Sequence, residues 1–157
     1  QVAGVYGASK RLMERLFVQF ENNYPDITFR IVRYGNVLYS TGSVLCIWKD
    51  LIEQGKKVIV TEPKATRFFW TVEQAIDLIF DCFYNAKDSN PYCPDMKSMR
   101  IDDLLQAMVA KYADGKEIPI EVIGLQPGEN LHEKVLEEGL ASNEVEHFTV
   151  EEITELI

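Results

Sequence analysis

The feature that most constrains the fold is residues 8–33, where a helical pattern gives way to a strand pattern. Leu12, Met13, Leu16, Phe17 and Phe20 recur at three- and four-residue steps, the period of one helix face. The spacing predicts a helix over 8–22. Asn22-Asn23-Tyr24-Pro25-Asp26 breaks that helix, and residues 27–33 follow as a strand rich in β-branched residues. Helix, short turn and strand make half of a βαβ unit, so an α/β fold with a mostly parallel sheet is expected. Ligands in such sheets bind beyond the carboxyl ends of the strands.

Downstream, a second helix is expected over 43–54, closed by Gly55, with a short strand at 58–60. Thr71 and Gln74 form a capping box for a helix striped by Val72, Ala75, Ile76, Ile79 and Phe83, which reads as a structural face. A short strand within 92–100 precedes a helix capped by Asp102 or Asp103 and striped by Leu104, Leu105, Met108 and Val109. Residues 118–123 alternate like a strand, and Pro119 points to an edge. Thr149 and Glu152 form a second capping box before a last short helix.

With 157 residues and 46% hydrophobic content, the chain can bury a core and reads as a single domain, 1–157. The net charge of −9 falls almost wholly beyond residue 128, so 137–157 reads as an acidic C-terminal extension with a solvated surface. A nearly neutral remainder argues against a nucleic-acid partner, which would ask for a basic face. No apolar run approaches 18 residues and no leader pattern is present, so no membrane span and a cytoplasmic location are expected. Cys46 and Cys82 fall on apolar helical stripes and read as reduced core residues. With three cysteines, His132, His147 and no Cys/His cluster, no metal site is expected.

Candidate chemistry begins at Tyr6 and Lys10, one helical turn apart. A tyrosine hydroxyl with a pKa of about 10 is a poor base near neutrality. An ammonium beside it favours the phenolate and lets it exchange a proton with a substrate. The same spacing recurs at Tyr112 and Lys116, but Asp114-Gly115 between them reads as a helix stop. A chance pair at a helix start is the plain alternative for Tyr6 and Lys10. The stretch 33–43 after the first strand is rich in glycine and hydroxyls and enters a helix through Gly42-Ser43. Ser43 is either an anion site at a helix N-terminus or an ordinary N-cap. Arg67 either forks onto a diphosphate or pairs with a surface carboxylate.

Together these stretches resemble one family. Tyr6-Gly7-Ala8-Ser9-Lys10 is similar to the active-site Tyr-x-x-x-Lys of the extended short-chain dehydrogenase/reductases. Arg33-Tyr34-Gly35-Asn36-Val37, Gly42-Ser43-Val44, Thr66-Arg67-Phe68, Met96 to Leu104, and Pro127-Gly128-Glu129 with Leu131-His132-Glu133 fall in the order of the nucleotide-sugar 4,6-dehydratases. Within the polysaccharide-biosynthesis proteins, they most resemble the inverting UDP-N-acetylglucosamine 4,6-dehydratases. The likeness runs from residue 1 to about residue 136. It implies the C-terminal part of a Rossmann-type parallel sheet plus a small α/β substrate-binding lobe. It implies NADP, or NAD, as cofactor, a UDP-sugar substrate, and a homo-oligomer paired through the Tyr6 helix.

By that resemblance, Tyr6 is the base that takes the sugar 4-hydroxyl proton, and Lys10 lowers its pKa and holds the nicotinamide ribose. Tyr34 and Asn36 join them on the cofactor side. Asn36 and Ser43 line the sugar and phosphate side, and Arg67 and Glu129 hold the UDP part. A 4-epimerase of the same family and a non-catalytic sugar-nucleotide-binding module are the rival readings. Thr41 and Asn130 stand where the family pattern has cations, and Tyr39 where it has glycine. The 157 residues hold no glycine-rich pyrophosphate turn, and the family's Asp-Lys pair would lie upstream of Gln1. The expected object is therefore the C-terminal half of an enzyme, inactive by itself.

Overall fold

A computed structural model describes residues 5–157; the side chain of Tyr6 lies outside what it describes. Twelve elements follow in order among those residues: α1 (Val5–Asn23), β1 (Ile31–Val32), β2 (Asn36–Val37), α2 (Val44–Glu53), β3 (Val58–Val60), β4 (Thr66–Trp70), α3 (Val72–Asn85), β5 (Pro91–Tyr92), β6 (Ser98–Arg100), α4 (Ile101–Tyr112), β7 (Ile120–Val122) and α5 (Val150–Leu156). Three parallel pairings, β1 with β5, β2 with β4 and β3 with β7, carry the α/β architecture. β6 joins β4 antiparallel, pairing Thr66 with Arg100 and Phe68 with Ser98.

The core gathers where α2, α4 and α5 cover β3, β4 and β6. Leu45, Ile52, Val58, Met99, Leu104, Met108 and Ile153 are fully buried there. Trp48 ties α2 to the sheet, its indole N–H donating to Ile59 O at 3.2 Å. Gly35 sits between β1 and β2 against Phe68. A Cβ at position 35 would lie 2.4 Å from Phe68 O, a clash that only glycine avoids.

The segment 130–149 returns across β4 and β6, with bridges from His132 to Thr66 and from His147 to Ser98. The buried Ser142 hydroxyl sits at its centre, 2.6 Å from Thr66 Oγ1, and accepts from the Glu133 N–H at 2.8 Å. Ser98 Oγ donates to Ser142 O at 2.5 Å; its proton is thereby used, so His147 Nδ1, 2.6 Å away, is the donor to Ser98 Oγ. Part of the acidic extension folds in: Lys97 bridges Glu146 and Glu152, and Ile153 enters the core.

Three readings need correction. The strand expected over 27–33 shrinks to Ile31–Val32, because Phe29 packs against Phe17 and Phe20 of α1 and the Arg30 guanidinium turns to Ala86 O at 2.8 Å. Asp102 and Asp103 do not cap α4; Arg100 holds the N-cap position without a side-chain bond. The Ile101 and Asp102 N–H groups donate instead to Ala65 O and Pro63 O, at 2.9 and 3.0 Å, so the β3–β4 loop supplies the cap. The two aspartates still favour the positive end of the helix dipole.

In α3 the buried residues are Ala75, Leu78 and Cys82, whereas Val72, Ile76, Ile79 and Phe83 are exposed. Glu73, Gln74, Asp77, Asp81 and Asn85 take one face of the helix, and the apolar arc that remains is wider than the buried strip, so periodicity alone could not choose which part of it turns inward. Along α1, Leu12, Met13, Leu16 and Phe20 all stay at least 38% exposed, so the stripe is not wholly a core face. No helix among the described residues is long and apolar enough to cross a membrane.

Candidate active-site cleft

A cleft of about 550 Å³ opens where β2, the β2–α2 loop, β3, the start of β4 and the 124–131 loop meet. Asn36, Ser43, Arg67 and Glu129, four residues from four separate stretches, all line it. Tyr39 and Gly42 shape the loop on one side, both in the left-handed region at φ 54° and 76°. Gly42 meets that demand without strain.

Ser43 occupies the N-cap of α2 in extended conformation, yet its side chain makes no capping bond. Its hydroxyl turns to Cys46 Sγ at 3.7 Å. An α-helix leaves its first N–H groups without intrahelical partners, and here no serine oxygen closes them off. The start of α2 therefore suits an anion in the cleft, with the positive end of the helix dipole behind it.

Arg67 is held more tightly than either reading of it supposes. Nη1 donates to Thr66 O and Leu131 O at 2.8 and 3.0 Å, and Nη2 to Asn130 O at 2.7 Å. Nε faces Glu133 Oε1 at 3.6 Å. Of five guanidinium protons, one on Nη2 has no acceptor among the described residues, and Arg67 borders the cleft. Glu129 closes its own turn, its carboxylate accepting from the Gln126 N–H at 2.9 Å.

Sequence reasoning quoted Glu133 within a motif but gave it no role. Its carboxylate accepts from the Phe68 N–H at 3.1 Å and from Asn36 Nδ2 at 3.2 and 3.3 Å. Burial pushes its carboxyl above the ordinary value, against the opposing pull of the Phe68 N–H, Arg67 and Asn36. Nothing local marks it, since its partners are about 65 and 97 residues away.

Three candidates remain. Tyr6 and Lys10 both belong to α1, one turn apart, but the Tyr6 side chain is outside the described residues. Lys10 is exposed and does not line the cleft. Tyr34 is 43% exposed and does not line it either. The rival pair Tyr112/Lys116 is separated as expected: α4 ends at Tyr112, Gly115 is left-handed, and Lys116 reaches Glu53 O. No group of three or more His, Cys, Asp or Glu among the described residues is placed to hold a metal ion. Burial pushes the Cys93 thiol up to about 11, which makes it a poor nucleophile.

Comparison with known proteins adds the lineage. A model of the polysaccharide biosynthesis protein family matches residues 1–155. A UDP-N-acetylglucosamine 4,6-dehydratase (inverting) of Campylobacter jejuni is 31% identical over 150 residues, covering 94% of this chain and 42% of the relative. The X-ray structure of Pen from Bacillus thuringiensis superposes with a TM-score of 0.88 at 28% identity, covering 99% of this chain and 57% of that one. A Thermus thermophilus UDP-glucose 4-epimerase in complex with NAD superposes at 0.64 and 18% identity, over 79% of this chain and 42% of that one, a likeness of fold. The chain spans less than half the length of the curated relatives it matches.

Proposed function

The chain belongs to the polysaccharide biosynthesis protein family, and from that premise we propose that its cleft is the nucleotide-sugar site of an NADP-dependent UDP-N-acetylglucosamine 4,6-dehydratase, of which this chain is the C-terminal part. The observation that carries the reading is the convergence of Asn36, Ser43, Arg67 and Glu129 on one cleft at an open helix N-terminus. The first turn of α2 and the remaining Arg67 proton take the diphosphate. Glu129, an acceptor, takes ribose hydroxyls.

The residues present fit part of a nicotinamide nucleotide. Lys10 and Tyr6, four residues apart on α1, are the groups this reading assigns to the nicotinamide ribose and the sugar hydroxyl, while no pyrophosphate turn occurs in the 157 residues. When bound, that cofactor supplies a hydride acceptor and donor. The Lys10 ammonium favours the Tyr6 phenolate, and Tyr6 takes the proton from the 4-hydroxyl. Tyr34 borders the cofactor side.

The test is titration of the chain with UDP-N-acetylglucosamine, followed by the fluorescence of Trp48, which lines the cleft. The expected result is saturable quenching, with Arg67→Ala weakening affinity about 10-fold or more, as for a charge-assisted hydrogen bond. No binding, or equal binding by the Arg67→Ala chain, would remove the nucleotide sugar from this cleft.

A further inference from the structure

Resting on the nucleotide-sugar reading, we propose that Glu133 locks the Asn36 amide so that Asn36 presents only its oxygen to the cleft, making it an acceptor for a hydroxyl or amide N–H of the sugar and not a donor to the diphosphate. The argument is a count of protons. Nδ2 of Asn36 carries two, one directed to Phe68 O at 3.1 Å and the other to the Glu133 carboxylate oxygens at 3.2 and 3.3 Å. A backbone carbonyl has no proton to give, and neither has an ionised carboxylate. Turning the amide over would set Oδ1 against these acceptors, so the orientation follows from the partners.

Glu133 is held in turn. The Phe68 N–H donates to it at 3.1 Å and the Arg67 Nε faces it at 3.6 Å. What remains of Asn36 for a ligand is Oδ1, which no donor among the described residues takes, on a residue that lines the cleft. Phosphate oxygens are acceptors too and would be repelled there. The cleft is thereby divided by polarity. Donors at the α2 N-terminus and Arg67 serve the diphosphate, and an acceptor at Asn36 serves the hexose. Glu133 acts through Asn36 and is a positioning residue.

The experiment compares affinities for UDP and for UDP-N-acetylglucosamine in the wild-type chain, Asn36→Leu and Glu133→Gln, each first shown to be folded by its thermal melt. The wild type should prefer the sugar nucleotide. Asn36→Leu, nearly isosteric but without the acceptor, should lower that preference about 3- to 10-fold, the worth of one hydrogen bond. Glu133→Gln puts an N–H₂ in place of one carboxylate oxygen and leaves Phe68 O as the one unchanged acceptor, so the Asn36 amide is held less firmly and can offer a donor to the cleft. It should lower the preference too, by strengthening UDP binding. Variants that weaken both ligands by one factor would place Asn36 on the diphosphate and overturn the proposal, as would an unchanged preference in both. A wild-type chain that binds neither ligand would overturn the nucleotide-sugar reading itself, and this proposal with it.

Discussion

Tyr39 stands at φ 54°, a left-handed conformation that costs an L-residue about 1–2 kcal/mol. The resemblance drawn from the sequence puts glycine at this position, and the structure shows why glycine would suit. What holds tyrosine here is its far end. Its hydroxyl lies 2.7 Å from the Tyr112 hydroxyl and reaches Met108 Sδ, and its ring packs against the core. Burial and that partner push the phenol well above its usual value, so it stays protonated. Tyr39→Phe should therefore destabilise the chain by about 1 kcal/mol, the worth of the hydroxyl pair. Tyr39→Gly relieves the strain but empties the seat of the ring, for a net loss of about 2 kcal/mol. Urea midpoints test both, and a Tyr39→Gly chain more stable than the wild type would contradict the account. What offsets the strain was invisible in the sequence, because Tyr112 lies 73 residues away.

Among the elements, those with local signals were legible. Thr71 with Gln74 and Thr149 with Glu152 form reciprocal capping boxes as read, because a capping box is closed by residues three apart. The bounds of α2 and β3 fell within a residue of expectation for the same reason. Elements whose shape depends on distant partners were not legible. α4 takes its cap from carbonyls of Pro63 and Ala65, which no pattern near Asp102 could disclose. The inner face of α3 is set by contact with β1 and β4, in a helix whose apolar arc is wider than the strip it buries. The site shows the same division: Ser43 was found through Gly42-Ser43 before a helix, whereas Glu133 matters only through residues of β2 and β4.

For the whole molecule, the ends of β2 and β3 and the start of α2 meet around one opening, and residues 36–44, which supply much of its lining, follow the strand read over 27–33. Leu12, Met13 and Leu16 of α1 form a half-exposed apolar stripe, with Leu12 63% exposed. We read this stripe as the surface through which two copies pair by their α1 helices. Sedimentation equilibrium should then give a dimer that Leu12→Glu returns to monomer; a dimer indifferent to that change would refute the reading.

The central claim is that the cleft beside α2 holds a nucleotide sugar, and amide shift mapping of the labelled chain tests it most directly. On adding UDP-N-acetylglucosamine, the account predicts the largest shifts at the amides of Asn36, Ser43, Val44, Leu45, Arg67 and Glu129. Shifts centred instead on the shallower depression beside Trp70, Asp77 and Pro94, or none anywhere at saturating ligand, would contradict it.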